Sequence, residues 1–253
     1  MPDPEMPDAG RPDVVGFALT YGSGTAIEPH THPAHQLIHA ISGAMRVVAD
    51  GGIWFLPLGR ALWIPAGMEH EIRCDGEVGM RTAYLSPACP VALPEVRMVA
   101  VSPLLREVLV RLAEGTDAGV RPALLYILLH EMAGAGLPPL RLPAPADPRI
   151  ATLVTHLNTE PASQVTLAQW AKRLGFSERS LIRAIRAQTG MTFRDLRRQS
   201  RILVAVERLC EGRAITAVAY DVGFETPSAF AHAFRAVTGR TPRSFVAEAR
   251  KSA

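Results

Sequence analysis

Cysteine is scarce in this 253-residue chain: Cys74, Cys89 and Cys210 are an odd number with no C-x-x-C pair. That argues against a disulfide framework and against a zinc ribbon, and fits a reducing, cytoplasmic setting. Long apolar runs are missing as well. No stretch approaches ~18 uninterrupted apolar residues, so no membrane partner is expected. The opening MPDPEMPDAGRPD has neither a basic start nor an apolar core; it reads as a disordered tail over 1–13 and not as a secretory signal. The 48% hydrophobic content and the length predict one or two domains with ample buried core.

Charge divides the chain. Residues 1–148 carry a net −6 and residues 149–253 a net +9, within the overall +3. A polyanion partner is therefore expected for the C-terminal part alone. The boundary is LPPLRLPAPADPR (137–149), where five prolines fall in thirteen residues. Proline fixes φ and lacks a backbone donor, which predicts a linker over 137–148 with neither helix nor sheet interior running through it.

Within the basic part a segment returns. AKRLGFSERSLIRAIRAQTG (171–190) recurs as AYDVGFETPSAFAHAFRAVTG (219–239), with Gly175 and Gly223 offset by 48 and Gly190 and Gly239 by 49. Each copy reads as a short apolar helix, a Gly-Phe turn, and a second helix closing on Thr-Gly. That is the helix-turn-helix pattern, whose second helix can lie in a DNA major groove. In the first copy Thr166 and Ser177 are expected N-caps. Leu181, Ile182 and Ile185 are expected in the core, and Arg179, Ser180, Arg183 and Arg186 on the opposite face. Arginine pairs with guanine O6/N7 or neutralises phosphate, so Arg179, Ser180 and Arg183 are expected near bases and Arg186 near the backbone. In the second copy Phe230 and Phe234 anchor the recognition helix, leaving Thr226, Ser228, His232 and Arg235 towards DNA. FRDLRRQSRILVAVERLC (193–210) joins the copies as a helix of roughly 26 Å, with Arg194, Arg197, Arg198 and Arg201 expected exposed.

The residues Gly223-Phe224, Phe230, Phe234, Arg235, Thr238-Gly239 and Thr241-Pro242 carry a resemblance to the AraC/XylS family of bacterial transcription regulators. It extends over about 148–250. The resemblance implies an all-α DNA-binding domain over 149–250, with two helix-turn-helix units joined by a central helix. It also implies double-stranded promoter DNA and RNA polymerase as partners, and activation of transcription as the usual outcome.

Over 14–90, short runs rich in Val, Ile, Trp and Phe are punctuated by Gly and Asp, as in AMRVVADGGIWFLPLG (44–59), and predict a β-barrel or sandwich. The period changes to helical in 102–115 and 122–136; these helices, in a region spanning 91–136, are expected to form part of a homodimer interface. The whole is thus read as α+β in two domains. His30-x-His32-x3-Gln36-x6-Gly43 and Gly59-x5-Pro65-x-Gly67-x2-His70 resemble the two cupin motifs, with Gln36 where metal-binding members carry Glu and Cys74 where the second motif ends in Asn. The resemblance implies a cupin sensor barrel. His30 and His32, alternating on one strand, share a face, and with His70 three imidazoles can converge on a divalent transition metal. His30, His32, Gln36, Trp63 and His70 form the expected site for an unknown small-molecule effector, with apolar walls and a few polar groups. The leading reading is a ligand-responsive transcription regulator without catalytic residues. The alternatives are a cupin metal-dependent enzyme fused to a DNA-binding module, against which Gln36 argues, and an architectural DNA binder with an inert barrel.

Overall fold

A computed structural model describes residues 6–91, 93–134, 136, 137 and 139–252, the last five by backbone alone. The first five residues of the expected tail, and Ala92, Ala135 and Pro138 of the expected helical region and linker, lie outside the described residues. The chain divides into two compact units. The first comes mainly from residues up to Pro139. The second comes mainly from Leu140–Val246, joined by Gly51–Trp54.

The N-terminal unit is built on two antiparallel sheets. One runs β1 (Val14–Tyr21), β8 (Val78–Leu85), β3 (His35–Ser42), β6 (Arg60–Ile64), β9 (Arg97–Ala100). The other contains β5 (Gly52–Leu56), β4 (Met45–Ala49), β7 (His70–Cys74) and β2 (Thr25–His30). Alternation sorts the first sheet's side chains. Leu37, Ala61, Trp63, Ala83 and Leu85 form one buried cluster with Leu105, Val108 and Leu109 of α1 (Pro103–Ala113) and Leu125, Leu128 and Met132 of α2 (Arg121–Ala133). Gln36, Thr82 and Tyr84 lie on the opposite parity. Between β4 and β5 the chain reverses through Asp50 (φ 48°) and Gly51 (φ 62°), a two-residue turn whose positive φ values match strand twist.

Three features depart from the sequence reading. β9 lies in the stretch expected to be helical and pairs with β6 through Arg60↔Ala100 to Trp63↔Arg97. The proline-rich linker holds a short strand, β10 (Arg141–Pro143), paired with Gly52–Trp54. Proline is tolerated there because it ends a three-residue strand at a sheet edge. In the expected tail Pro7 is buried, and the Asp13 carbonyl accepts from the Ser86 amide at 3.0 Å.

His39, on β3, is fully buried; its Nδ1 lies 2.9 Å from the Arg60 carbonyl, and its Nε2 has no partner among the described residues. Burial pulls this imidazole down from 6.5 to about 4, opposed by the Arg60 carbonyl and reinforced by the charges of Arg106 and Arg81. Unfolding therefore lets His39 take up a proton below about pH 6.5 that the native state refuses until about pH 4. Stability from this group is present above pH 6.5 and lost as pH falls through that window, by about 3 kcal/mol in all. In urea titrations between pH 7.5 and 4, His39→Gln is expected to flatten the pH dependence by that order. A variant with the wild-type slope would refute it.

The C-terminal unit is helical after β10. α3 (Pro148–Thr159) opens on an Asp147 cap. Then follow α4 (Leu167–Leu174), α5 (Glu178–Thr189), α6 (Phe193–Cys210), α7 (Ile215–Asp221), α8 (Pro227–Thr238) and α9 (Pro242–Ser252). α6 buries Ile202 to Val206 without interruption, and α3, α5, α7 and α8 pack against this helix. The ring centroids of Phe224, Phe230, Phe234 and Phe245 follow one another at 5.4–5.5 Å, edge to face, a geometry that adds to apolar burial. Among the described residues no helix is long and apolar enough to cross a membrane.

Candidate functional site

Two helix-turn-helix units are present, α4–α5 and α7–α8. In the first, Thr166 and Gln169 form a reciprocal capping box, and Gly175 ends α4 in the left-handed region at φ 70°. Ser177 then caps α5 by accepting from the Ser180 amide at 3.1 Å. In the second, Thr226 caps α8 through the Ala229 amide at 3.2 Å. The residue that makes the second copy longer is placed: Ser177 follows Phe176 directly, while Glu225 stands between Phe224 and Thr226. Both second helices end alike. Gly190 and Gly239 are left-handed C-caps, and Thr192 and Thr241 then accept from the Asp195 and Ser244 amides to start the next helix.

α5 buries Leu181 and Ile185. Arg179, Arg183 and Arg186 are exposed as expected, while Ser180 is half-buried and bonded to Ser177. Ile182 does not face the core. It is 50% exposed and lies at helical spacing between Arg179 and Arg186, giving the cationic face an apolar centre suited to a thymine methyl. Nothing in the apolar pattern separates Ile182 from Ile185, and only the packed geometry does. On α8, Thr226, Ser228, His232 and Arg235 are all exposed, opposite buried Phe230 and Phe234.

The connecting helix corrects a second expectation. Arg194 and Arg198 are exposed, but Arg197 and Arg201 are half-buried. Arg197 donates to the Val165 carbonyl and lies over the Phe193 ring at 4.6 Å. Arg201 Nε donates to the Pro161 carbonyl at 2.8 Å, with its guanidinium 5.8 Å from the Phe224 ring centroid. Long cationic side chains lay their stems along apolar surface in this way.

In the N-terminal unit the structure brings His30, His32 and His70 together. One ring nitrogen of each lies within 4.8 Å of the others, and His30 is opposite His70 across the β2–β7 ladder. His32 lies beyond the end of β2, in the loop to β3, and not on the strand beside His30. The second ring nitrogens are all committed to backbone carbonyls: His30 Nδ1 to Glu28 at 2.9 Å, His32 Nδ1 to Ala34 at 2.7 Å, His70 Nδ1 to Met68 at 3.0 Å. A carbonyl only accepts, so each Nδ1 carries the proton and each neutral ring turns an Nε2 lone pair to the group. His70 Nε2 is buried with no partner among the described residues. Burial holds the His70 imidazole down to about 4. Gln36 is buried, donates to Thr82 Oγ1 and the Tyr84 hydroxyl at 3.0 Å each, and sets its Oε1 3.0 Å from His32 Nε2.

Two lone-pair atoms that close are favourable only with a proton or a cation beside them. The donor set fits a divalent transition metal: three imidazoles with tautomers fixed by carbonyls, as metal-ligating histidines have, and no carboxylate, which selects metals that favour nitrogen. Trp63 does not join this group. It lies in the cluster under α1 and α2, stacks on His35 at 4.9 Å, and donates Nε1 to the Leu93 carbonyl at 2.9 Å. Its parity on β6 places it on the other side of the sheet from Gln36. Tyr84 and Thr82 take its place beside the histidines, with Tyr84 4.9 Å from the His32 ring.

Residues 12–129 match the AraC-like ligand binding domain family, and residues 170–248 a helix-turn-helix domain family. The HTH-type transcriptional regulator NimR of Escherichia coli K12 is 29% identical over 246 residues, covering 95% of this chain and 90% of that protein. The HTH-type transcriptional regulator RipA of Corynebacterium glutamicum is 38% identical over 104 residues, 41% of this chain and 31% of its own length. Among solved structures, ToxT of Vibrio cholerae O395 aligns over 94% of this chain and 99% of its own, at 11% identity and a TM-score of 0.42. The chain belongs to the AraC family of helix-turn-helix transcription regulators, with an N-terminal ligand-binding domain.

Proposed function

We propose that this regulator binds promoter DNA sequence-specifically, one chain setting α5 and α8 into two successive major-groove segments. The observation that carries the reading is the pair of capped second helices, each burying one face and leaving Arg179, Arg183 and Arg186, or Ser228, His232 and Arg235, in solvent. The net +9 of residues 149–253 supplies the electrostatic attraction. Arg179, Ser180, Ile182 and Arg183 read base edges, and Arg186 meets phosphate. α8 reads through Thr226, Ser228, His232 and Arg235.

Arg183→Ala is expected to cost about 1–3 kcal/mol on a duplex selected by the full chain from a random pool, and much less on unselected DNA. Fluorescence anisotropy measures both. Equal loss on the two DNAs would assign Arg183 to phosphate and remove it from the reading set.

The N-terminal domain, on this proposal, senses a small molecule or ion at His30, His32, His70 and Gln36, with Tyr84 and Thr82 beside them. The three carbonyl-locked imidazoles favour a divalent transition metal there. Such an ion would supply Lewis acidity and an open position for an anionic or carbonyl oxygen of an effector. The exposed flank of α2, with Tyr126 at 72% exposure, supports a homodimer through α1 and α2. Activation through contact with RNA polymerase, a cytoplasmic location and the absence of catalysis complete the proposal.

A further inference from the structure

Between α6 and α8 lies a cleft of about 400 Å³ lined by Arg194, Arg197, Arg198, Arg201, Phe224 and His232. Four guanidiniums share it with few counter-charges. Asp195 pairs with Arg198 at 2.8 Å on the exposed rim, and Arg194 has no ion-pair partner among the described residues. Arg197 and Arg201 are held by the Val165 and Pro161 carbonyls, yet Arg197 Nε and an Arg201 terminal nitrogen are buried without partners among the described residues. Partial burial of these two cations lowers both guanidiniums from their ordinary value. Those two nitrogens are closed to solvent, and the donors that the cleft presents are the exposed guanidiniums of Arg194 and Arg198, a pair suited to an anion with several acceptor oxygens.

The location says which anion. His232 belongs both to this cleft and to the exposed face of α8. Arg194 stands in the first turn of α6, directly after α5 and its Thr192 cap. The cleft therefore borders the exposed face of α8 and, through Arg194, lies close in sequence to the end of α5.

We infer that this arginine cleft seats a phosphate of the DNA backbone in the stretch between the two major-groove segments, fixing the register of both reading helices. The inference rests on the DNA-binding reading above. Phosphate contacts of this kind position a protein without reading sequence, and a seat between the two readers sets their phase on the duplex.

The test uses the full chain and a selected duplex of about 40 bp, enough for two successive groove segments and flanks. A single neutral methylphosphonate is placed at each backbone position in turn, and affinity is measured from about 50 to about 200 mM salt. One position between the two protected segments is expected to weaken wild type about tenfold. The Arg194→Gln, Arg198→Gln double variant, built on exposed side chains, is expected to lose a similar factor on unmodified DNA and to stop responding at that position. Its slope of log affinity against log salt falls by about 1–2, as expected when one or two phosphates are no longer neutralised. An unchanged thermal midpoint shows that the fold is intact, and selected-over-random preference is retained.

Wild-type indifference to every methylphosphonate between the segments overturns the proposal, as does a double variant with the wild-type slope. If inorganic phosphate competes in wild type but no methylphosphonate position matters, the cleft is a free-anion site and the proposal falls. Loss of duplex binding by wild type itself would remove the DNA reading as well, an outcome distinct from a wild type that binds with preference but ignores the cleft.

Discussion

His70→Ala is expected to reduce the metal carried by purified full-length protein from about one equivalent per chain to less than about a tenth. The imidazole removed has its Nδ1 fixed by the Met68 carbonyl and its Nε2 buried without a partner among the described residues, 4.3 Å ring to ring from His30 and 5.0 Å from His32. What remains is two imidazoles and a neutral amide, with no carboxylate to hold a dication. His30→Ala should behave alike. His35→Ala should keep the ion, because His35 stacks on Trp63 and accepts from the Ala66 amide. A bound ion stabilises the native state by about 4 kcal/mol when present at ~1,000 times its dissociation constant. Chelation should therefore lower the melting point of wild type and leave His70→Ala unmoved. Elemental analysis and calorimetry read both outcomes. Wild-type protein free of metal after growth and refolding in zinc, iron, nickel or copper would sink the metal reading, as would His70→Ala protein that retains it.

Gly223→Ala is expected to destabilise the C-terminal unit by about 3 kcal/mol or more, against about 1 kcal/mol for Gly175→Ala. Both glycines hold the same place in the repeat, with φ of 85° and 70°. Any side chain there meets the left-handed penalty of about 1–2 kcal/mol. The surroundings differ. A Cβ on Gly175 would meet nothing within 4 Å, whereas one on Gly223 would lie 2.8 Å from the Ala162 Cα and 2.9 Å from an Arg201 nitrogen. The arginine can move, but the backbone at Ala162 cannot without displacing the loop before α4. Overlap of this kind adds about 1–3 kcal/mol. Urea titrations of the two variants check the ordering; equal costs would mean that the loop yields freely.

The C-terminal unit was legible because its signals are local. Thr166, Ser177 and the Gly-Phe turns announce caps and reversals that depend on a few neighbouring residues. Phe230 and Phe234 fall at helical spacing on the buried side. Side-chain burial within those helices was less legible. Ile182 and Ile185 look alike in sequence, and Arg197 and Arg201 look as exposed as Arg194, until the facing elements are known. In the N-terminal unit the motif spacings brought His30, His32, Gln36 and His70 together. They could not show that His32 sits in a loop, that Trp63 faces the helices, or that Tyr84 and Thr82 complete the site. The sides taken by Trp63 and Tyr84 depend on the register of β3 against β6 and β8, where Leu37 stands opposite Trp63 and Gln36 opposite Tyr84, and register is a long-range property. β9 and β10 were missed for a related reason: each is three or four residues long, and only a partner strand makes it one.

Arg201 ties the loop before the first helix-turn-helix, through the Pro161 carbonyl, to the turn of the second, through the Phe224 ring, from a helix that buries Ile202 to Val206. On the proposed DNA-binding reading, this fastening makes α5 and α8 behave as one stamp with a fixed gauge. Information from an occupied N-terminal domain then has little leverage on the spacing between them. What it can alter is whether the stamp is presented to the duplex at all, so a response to effector should change occupancy of promoter sites while leaving the preferred sequence the same.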